Sequence, residues 1–180
     1  MSYLLRSFTS ALRGLVPASG GGTTNFLRAD GTWASGTVPA YRGALVYKNV
    51  AETAVNFTAA TAVSFTTEDH DTDGFWVVGS PTIFTIPAGV SRVRVSAGVS
   101  IDNLTGNSYA SASIRKNGTV FPGDGRTRYD NASTTNRINV STSSVSVSAG
   151  DTFDIVLLVQ TDTSIDIGAT STWFAIEVIE

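Results

Sequence analysis

Arg92-Val93-Arg94-Val95-Ser96-Ala97-Gly98-Val99-Ser100-Ile101 sets Val93, Val95, Ala97, Val99 and Ile101 on one parity and Arg92, Arg94, Ser96 and Ser100 on the other. A period of two sustained over this length describes a strand with one face in a core and one in water. Similar but shorter runs lie on either side, over 44–50, 62–67, 75–78, 83–86 and 110–116, separated by turn residues. Asn117-Gly118 predicts a type I′ hairpin turn, whose two central residues both need positive φ. Within 137–148, Ile138 and Val140 share one parity while Val145 and Val147 share the other, which predicts a β-bulge near Ser143.

Two later runs read differently. Phe153-Asp154-Ile155-Val156-Leu157-Leu158-Val159 and Trp173-Phe174-Ala175-Ile176-Glu177-Val178-Ile179 are apolar on both parities, so both of their faces are covered. Helices do the covering in a parallel α/β sheet, but no helical pattern follows residue 13. One face then packs on a second sheet and the other on a neighbouring subunit. The sequence therefore predicts an obligate oligomer whose core and interface hold Phe153, Ile155, Leu157, Val159, Trp173, Phe174, Ile176 and Val178.

Composition narrows the function classes. The 180 residues are 42% hydrophobic and only 15% charged, and 21 Ser with 24 Thr suit strands and turns. A net charge of −3 and an isoelectric point near 5.1 give no basic field for a nucleic acid. The chain has no cysteine, which removes disulfides, thiolate metal sites and thiol nucleophiles together. No apolar run approaches the roughly 20 residues that span a bilayer. The opening MSYLLRSFTSALRG is too interrupted for a secretory signal, so cytoplasmic synthesis is expected.

Three segments follow from punctuation. Over 1–13, Leu4, Leu5, Phe8 and Leu12 recur at helical spacing, which predicts a short amphipathic helix that needs a protein surface to dock on. Residues 14–43 form a Gly/Pro-rich connector and collar, in which Phe26, Leu27 and Trp33 are large apolar groups that an isolated chain would leave wet. Residues 44–180 form the β-rich head.

Few residues suggest chemistry. The stretch Glu68-Asp69-His70-Asp71-Thr72-Asp73-Gly74 holds the only histidine, and Asp71-x-Asp73-Gly74 is similar to the start of a calcium loop. It lacks the third spaced acid and the distal glutamate, so a solvated loop is the expectation, with Asp71 and Asp73 the only metal candidates. No nucleophile elbow accompanies the lone histidine, and the four glutamates are poorly placed for a glycosidase pair, so no catalytic site and no cofactor are expected. Tyr109, Arg126, Arg128, Tyr129 and Asn131 are of the types that bind sugars, and they fall in an exposed region where recognition commonly resides. Taken singly, each is an ordinary polar loop residue.

Four segments carry a resemblance in order: Thr85-Ile86-Pro87-Ala88-Gly89-Val90-Ser91-Arg92-Val93-Arg94-Val95-Ser96-Ala97, Ser113-Ile114-Arg115-Lys116-Asn117-Gly118, Ala149-Gly150-Asp151-Thr152-Phe153 and Trp173 to Glu180. Together they resemble the C1q-type heads of the complement and tumour-necrosis-factor superfamily, over roughly residues 42 to 180. The resemblance implies an all-β, ten-stranded, two-sheet jelly roll that assembles as a homotrimer with its final strand near the subunit contact. Gly14-Leu15-Val16-Pro17-Ala18 and Asn25-Phe26-Leu27-Arg28-Ala29-Asp30-Gly31-Thr32-Trp33 are similar to a segment of phage fibre and virion-surface proteins. That implies a virion-surface fibre or spike whose Leu4, Leu5, Phe8, Leu12, Phe26, Leu27 and Trp33 attach it to capsid or tail proteins. The head would then meet a host-surface glycan or protein, its weak contacts multiplied by three. A purely structural decoration protein and a glycan-cleaving tailspike are the alternatives. Neither nucleic acid nor membrane insertion enters the expectation.

Overall fold

The computed structural model describes residues 25–27, 32–35, 40–104, 109–121, 125–128, 135–160 and 164–179. Two compact units divide the chain, 1–40 and 41–180. In the first, β1 (Asn25–Leu27) and β2 (Trp33–Ser35) pair antiparallel, with Leu27 opposite Trp33 and Phe26 opposite Ala34.

The second unit holds β3 (Gly43–Tyr47), β4 (Glu52–Val55), β5 (Thr61–Ala62), β6 (Thr67–Asp71), β7 (Phe84–Thr85), β8 (Arg92–Asp102), β9 (Tyr109–Lys116), β10 (Thr119–Val120), β11 (Gly125–Arg128), β12 (Asn136–Ser141), β13 (Val145–Ser146), β14 (Thr152–Val159), β15 (Ile165–Ile167) and β16 (Trp173–Val178). They form two antiparallel sheets. The larger is organised by β8, the strand that the valine alternation predicts. Along one side of it lie β12 and β13 end to end, and along the other β16 and β15. Beyond these come β3 and β4, and β6 is the far edge. The smaller sheet is built on β14, with β9 on one side and β5 and β7 end to end on the other; β10 and β11 share the outer side of β9.

This is a two-sheet jelly roll, as expected, and one point of the expected architecture needs correction. The expectation carried a helix over 1–13, whereas every element among the described residues is a strand. Residues 1–13 lie outside the described residues, and a segment of that length is at or below the ~12–15 residues at which an isolated helix becomes even marginal in water. Among the described residues several strands are laid end to end, in five columns of the larger sheet and four of the smaller. One such break is the predicted bulge: Ser141 faces Ser96 but Val145 faces Val93, so this side carries one residue more than its partner.

The core lies where the alternation points. Val93, Val95, Ala97, Val99 and Ile101 are fully buried and face the inward parity of β14, Phe153, Ile155, Leu157 and Val159. Phe174 fills the space between, its ring stacked on Phe84 at 4.5 Å and on Phe65 at 5.7 Å. The outward parity of β14 is covered largely by the chain itself. Val156 is buried between Ser113 and Ala62, and Arg115 holds Asp154 through two hydrogen bonds, Nε to Oδ1 at 2.9 Å and Nη2 to Oδ2. Asn117 and Gly118 take φ of 51° and 76°, the I′ turn that closes β9 on β10.

Candidate assembly face

The outward face of the larger sheet is where the head is least finished. Register sets Gly98, Trp173, Tyr47 and Thr67 in one row across β8, β16, β3 and β6, and Ser96, Ala175, Leu45 and His70 in the next. Leu45, Tyr47, Trp173 and Ala175, with Thr170, line an open depression of about 720 Å³. All four strand residues are only half-buried, in contrast to their fully buried neighbours Val46, Phe174 and Ile176.

Two local features shape this depression. A β-carbon on Gly98 would stand 2.5 Å from Trp173 Nε1 and 2.9 Å from Asn139 Oδ1, so the glycine is what lets the indole lie close to the sheet. At the rim, Thr170 has φ 55°, a left-handed conformation that a β-branched residue seldom adopts. The Ser171 amide donates to the Ala169 carbonyl at 2.5 Å across it, a tight γ-turn, and the Thr170 amide donates to Lys48 O at 2.6 Å.

Lys48 is itself wholly buried. Its ammonium donates to Glu52 Oε1 at 2.7 Å and to Ser64 O at 2.8 Å, and Ser64 Oγ donates to the same Glu52 oxygen at 3.0 Å. This network ties the β3–β4 corner to the segment after β5, and through Thr170 it fixes the rim of the depression.

At the β6 edge, His70 meets Asp69 through Nδ1 at 2.9 Å and Tyr41 Oη through Nε2 at 3.2 Å, with the Tyr41 ring edge-on. Burial, and then the charge of Glu177, hold the Tyr41 phenol above its ordinary value. Both metal candidates serve the chain's own structure. Asp71 accepts the amides of Asp73, Gly74 and Trp76 at 2.8–3.1 Å. Asp73 is held by Arg42 at 2.8–3.2 Å and by Thr72 Oγ1 at 2.7 Å; the Arg42 hydrogen bond, followed by that of Thr72, keeps its carboxyl below the usual range. Among the described residues no group of three or more His, Asp or Glu side chains is placed to hold a metal.

The remaining candidates fall as follows. Phe153, Ile155, Leu157, Val159, Phe174 and Ile176 belong to the chain's own core, Val178 packs against it in part, and Trp173 faces outward. Tyr109 is half-buried and lies opposite Arg128 on β11, with Arg126 opposite Ser111; Tyr129 and Asn131 lie outside the described residues. Leu27 is exposed and Trp33 half-buried in the hairpin, while Leu4, Leu5, Phe8 and Leu12 lie outside the described residues. Sequence reasoning missed Leu45, Tyr47, Thr170 and Lys48. Gly98 was the available signal, a glycine inside an otherwise unbroken strand pattern.

Neither a family model nor a curated protein matches the chain. Solved structures do match, over about three quarters of the chain. The globular domain of zebrafish complement 1qA superimposes with a TM-score of 0.56 at 12% identity, covering 77% of this chain and 98% of that one. Murine APRIL gives 0.55 at 9% identity, covering 77% and 99%, and the Eiger TNF of S. frugiperda gives 0.55 at 9%, covering 78% and 93%. At such identities the likeness is one of fold, and the described residues of the second unit form a two-sheet jelly roll like those of the C1q and TNF structures.

Proposed function

We propose that this chain is a virion-surface structural and adhesive protein that works as a homotrimer. Residues 1–40 attach it to a capsid or tail component, and the jelly-roll head carries contacts to a host-surface glycan or protein. The observation that carries the trimer is the outward depression of Leu45, Tyr47, Trp173 and Ala175. Aromatic and aliphatic groups gathered on a sheet face, in a chain with only 15% charged residues, are what a second copy covers. The likeness of Asn25 to Trp33 to virion-surface segments supports the attachment role, and the exposed Leu27 of that hairpin offers an apolar contact. Three heads on each spike turn weak individual contacts into firm attachment.

Light scattering on the full chain tests the assembly. A mass three times the 18.8 kDa protomer is expected, and a stable, folded monomer at micromolar concentration overturns the trimer. Antibody labelling of intact particles tests the location, with label on the particle surface expected. Binding of the trimer to whole host cells separates the adhesive role from pure decoration.

A further inference from the structure

On the other side of the head from the depression is the outward face of the smaller sheet. β9 gives Ala110, Ala112 and Ile114 to the core, and its other parity, Tyr109, Ser111, Ser113 and Arg115, belongs to the outward face. Register extends these residues into rows. Arg115 stands opposite Asp154, which it holds through two hydrogen bonds, so this arginine is met by an acid of its own row. Two further rows hold no acid. In one, Ser111 stands between Leu158 on β14 and Arg126 on β11. In the other, Tyr109 stands opposite Arg128, and on its far side the Gln160 amide donates to the Tyr109 carbonyl at 2.8 Å, which carries the β14 ladder one residue further. Tyr109 and Leu158 are half-buried and Gln160 is exposed.

The two rows span about 10 Å across three strands and about 7 Å along them, room for a sugar ring or two. Arg126 and Arg128 fall on one face two residues apart, and their cross-strand partners Ser111 and Tyr109 carry no charge to offset them. Like charges so placed repel, and an anion relieves the repulsion. A guanidinium takes a carboxylate through two parallel hydrogen bonds, a tyrosine offers an apolar ring with a polar tip, and serine and glutamine meet hydroxyl groups. We propose that these rows bind a saccharide that carries a carboxylate, with its ring over Tyr109, its hydroxyls toward Ser111 and Gln160, and its acid toward the β11 arginines. The inference rests on the adhesive reading above and adds the place on the head and the chemistry of the ligand. Asp124 and Asp130, the acids that flank β11 in sequence, lie outside the described residues.

Titration calorimetry on the full chain tests it, with a hyaluronan tetrasaccharide, an oligogalacturonate and sialyllactose as probes, each beside its carboxyl-reduced form. At least one acidic probe is expected to bind about tenfold or more tighter than its reduced form, the worth of one charge-assisted pair. Arg126→Gln with Arg128→Gln is expected to abolish that preference. Tyr109→Ala is expected to weaken the acidic and reduced forms alike, and circular dichroism checks that each variant keeps its fold. If no acidic probe binds, or if the preference for the acid survives the double arginine variant, the site is overturned. Acids of the chain already seated on these arginines would leave no preference to lose, which overturns it equally. Whole-cell binding by the same preparations separates the two readings. A trimer that binds host cells but none of the acidic probes keeps the adhesive reading and loses this site, whereas a trimer that binds neither loses both.

Discussion

Trp173 Nε1 lies 2.5 Å from the point where a β-carbon on Gly98 would stand, and the two residues are direct cross-strand partners of β16 and β8. Gly98 is therefore kept for the room it leaves. Gly98→Ala is expected to lift the indole off the sheet and to destabilise the head by about 1–3 kcal/mol, the usual range for overpacking. Urea unfolding measures this. Gly98→Ala made in a Trp173→Ala background should cost far less, and additive losses would disprove the contact.

The buried ammonium of Lys48 gives an asymmetric prediction. Glu52, the carboxylate it meets at 2.7 Å, is 39% exposed, whereas Lys48 is 0% exposed. Glu52→Ala strands a charge with no route to water and is expected to cost about 3 kcal/mol or more. Lys48→Met leaves behind only a carboxylate that can rehydrate, so its cost should be the smaller of the two. Denaturant midpoints of the two variants compare them directly.

Thr170 offers a gain in stability. Its φ of 55° is unfavourable for a β-branched side chain, and glycine adopts it without strain. Thr170→Gly is expected to raise stability by about 0.5–1 kcal/mol, after the added freedom of the unfolded chain is subtracted. A lower midpoint than the unmodified protein would show that the threonine side chain contributes more than its backbone costs.

Asp151 sets a pH dependence. Hydrogen bonds from Asn117 and Lys116 and from the Ser148 amide hold its carboxyl at about 2, against an ordinary 3.8. Because the folded value is the lower one, the stabilisation is fully present above the unfolded value and is lost as pH falls through about 2. A carboxyl chemical-shift titration should find that midpoint. Asn117→Gly keeps the positive φ of the turn but removes the first of these hydrogen bonds, and should move the midpoint upward.

Much of this head is legible because its governing interactions are local. Val93 to Ile101 alternate along a single strand, Asn117-Gly118 states its turn in two residues, and the parity switch between Val140 and Val145 marks the bulge. The apolar runs were harder to read. Phe153 to Val159 predicts a neighbour on both faces, yet Ser113, Ala62 and the Arg115–Asp154 pair supply much of the outward cover from strands distant in sequence. For the same reason the depression could not be foreseen, since Leu45 meets Ala175 only through the β3–β16 register. A lysine beside a strand is by default a solvated one, and although Glu52 is only four residues on, Ser64, whose carbonyl completes the burial of Lys48, lies 16 residues away.

The place of β3 bears on how the head responds to force. Its first residue, Gly43, follows directly on Tyr41 and Arg42, and the strand is bonded on one side to β16 and on the other to β6. The ladder bonds on both sides run across the strand, perpendicular to a pull along it. Tension entering at Tyr41 along β3 is therefore shared among bonds in shear on both sides of the strand, where a strand at the sheet edge would have them on one side only. The Arg42–Asp73 pair and the Val178 amide on Arg42 O add resistance at the point of entry. A head pulled through Tyr41 would thus yield only when bonds on both sides of β3 give way together.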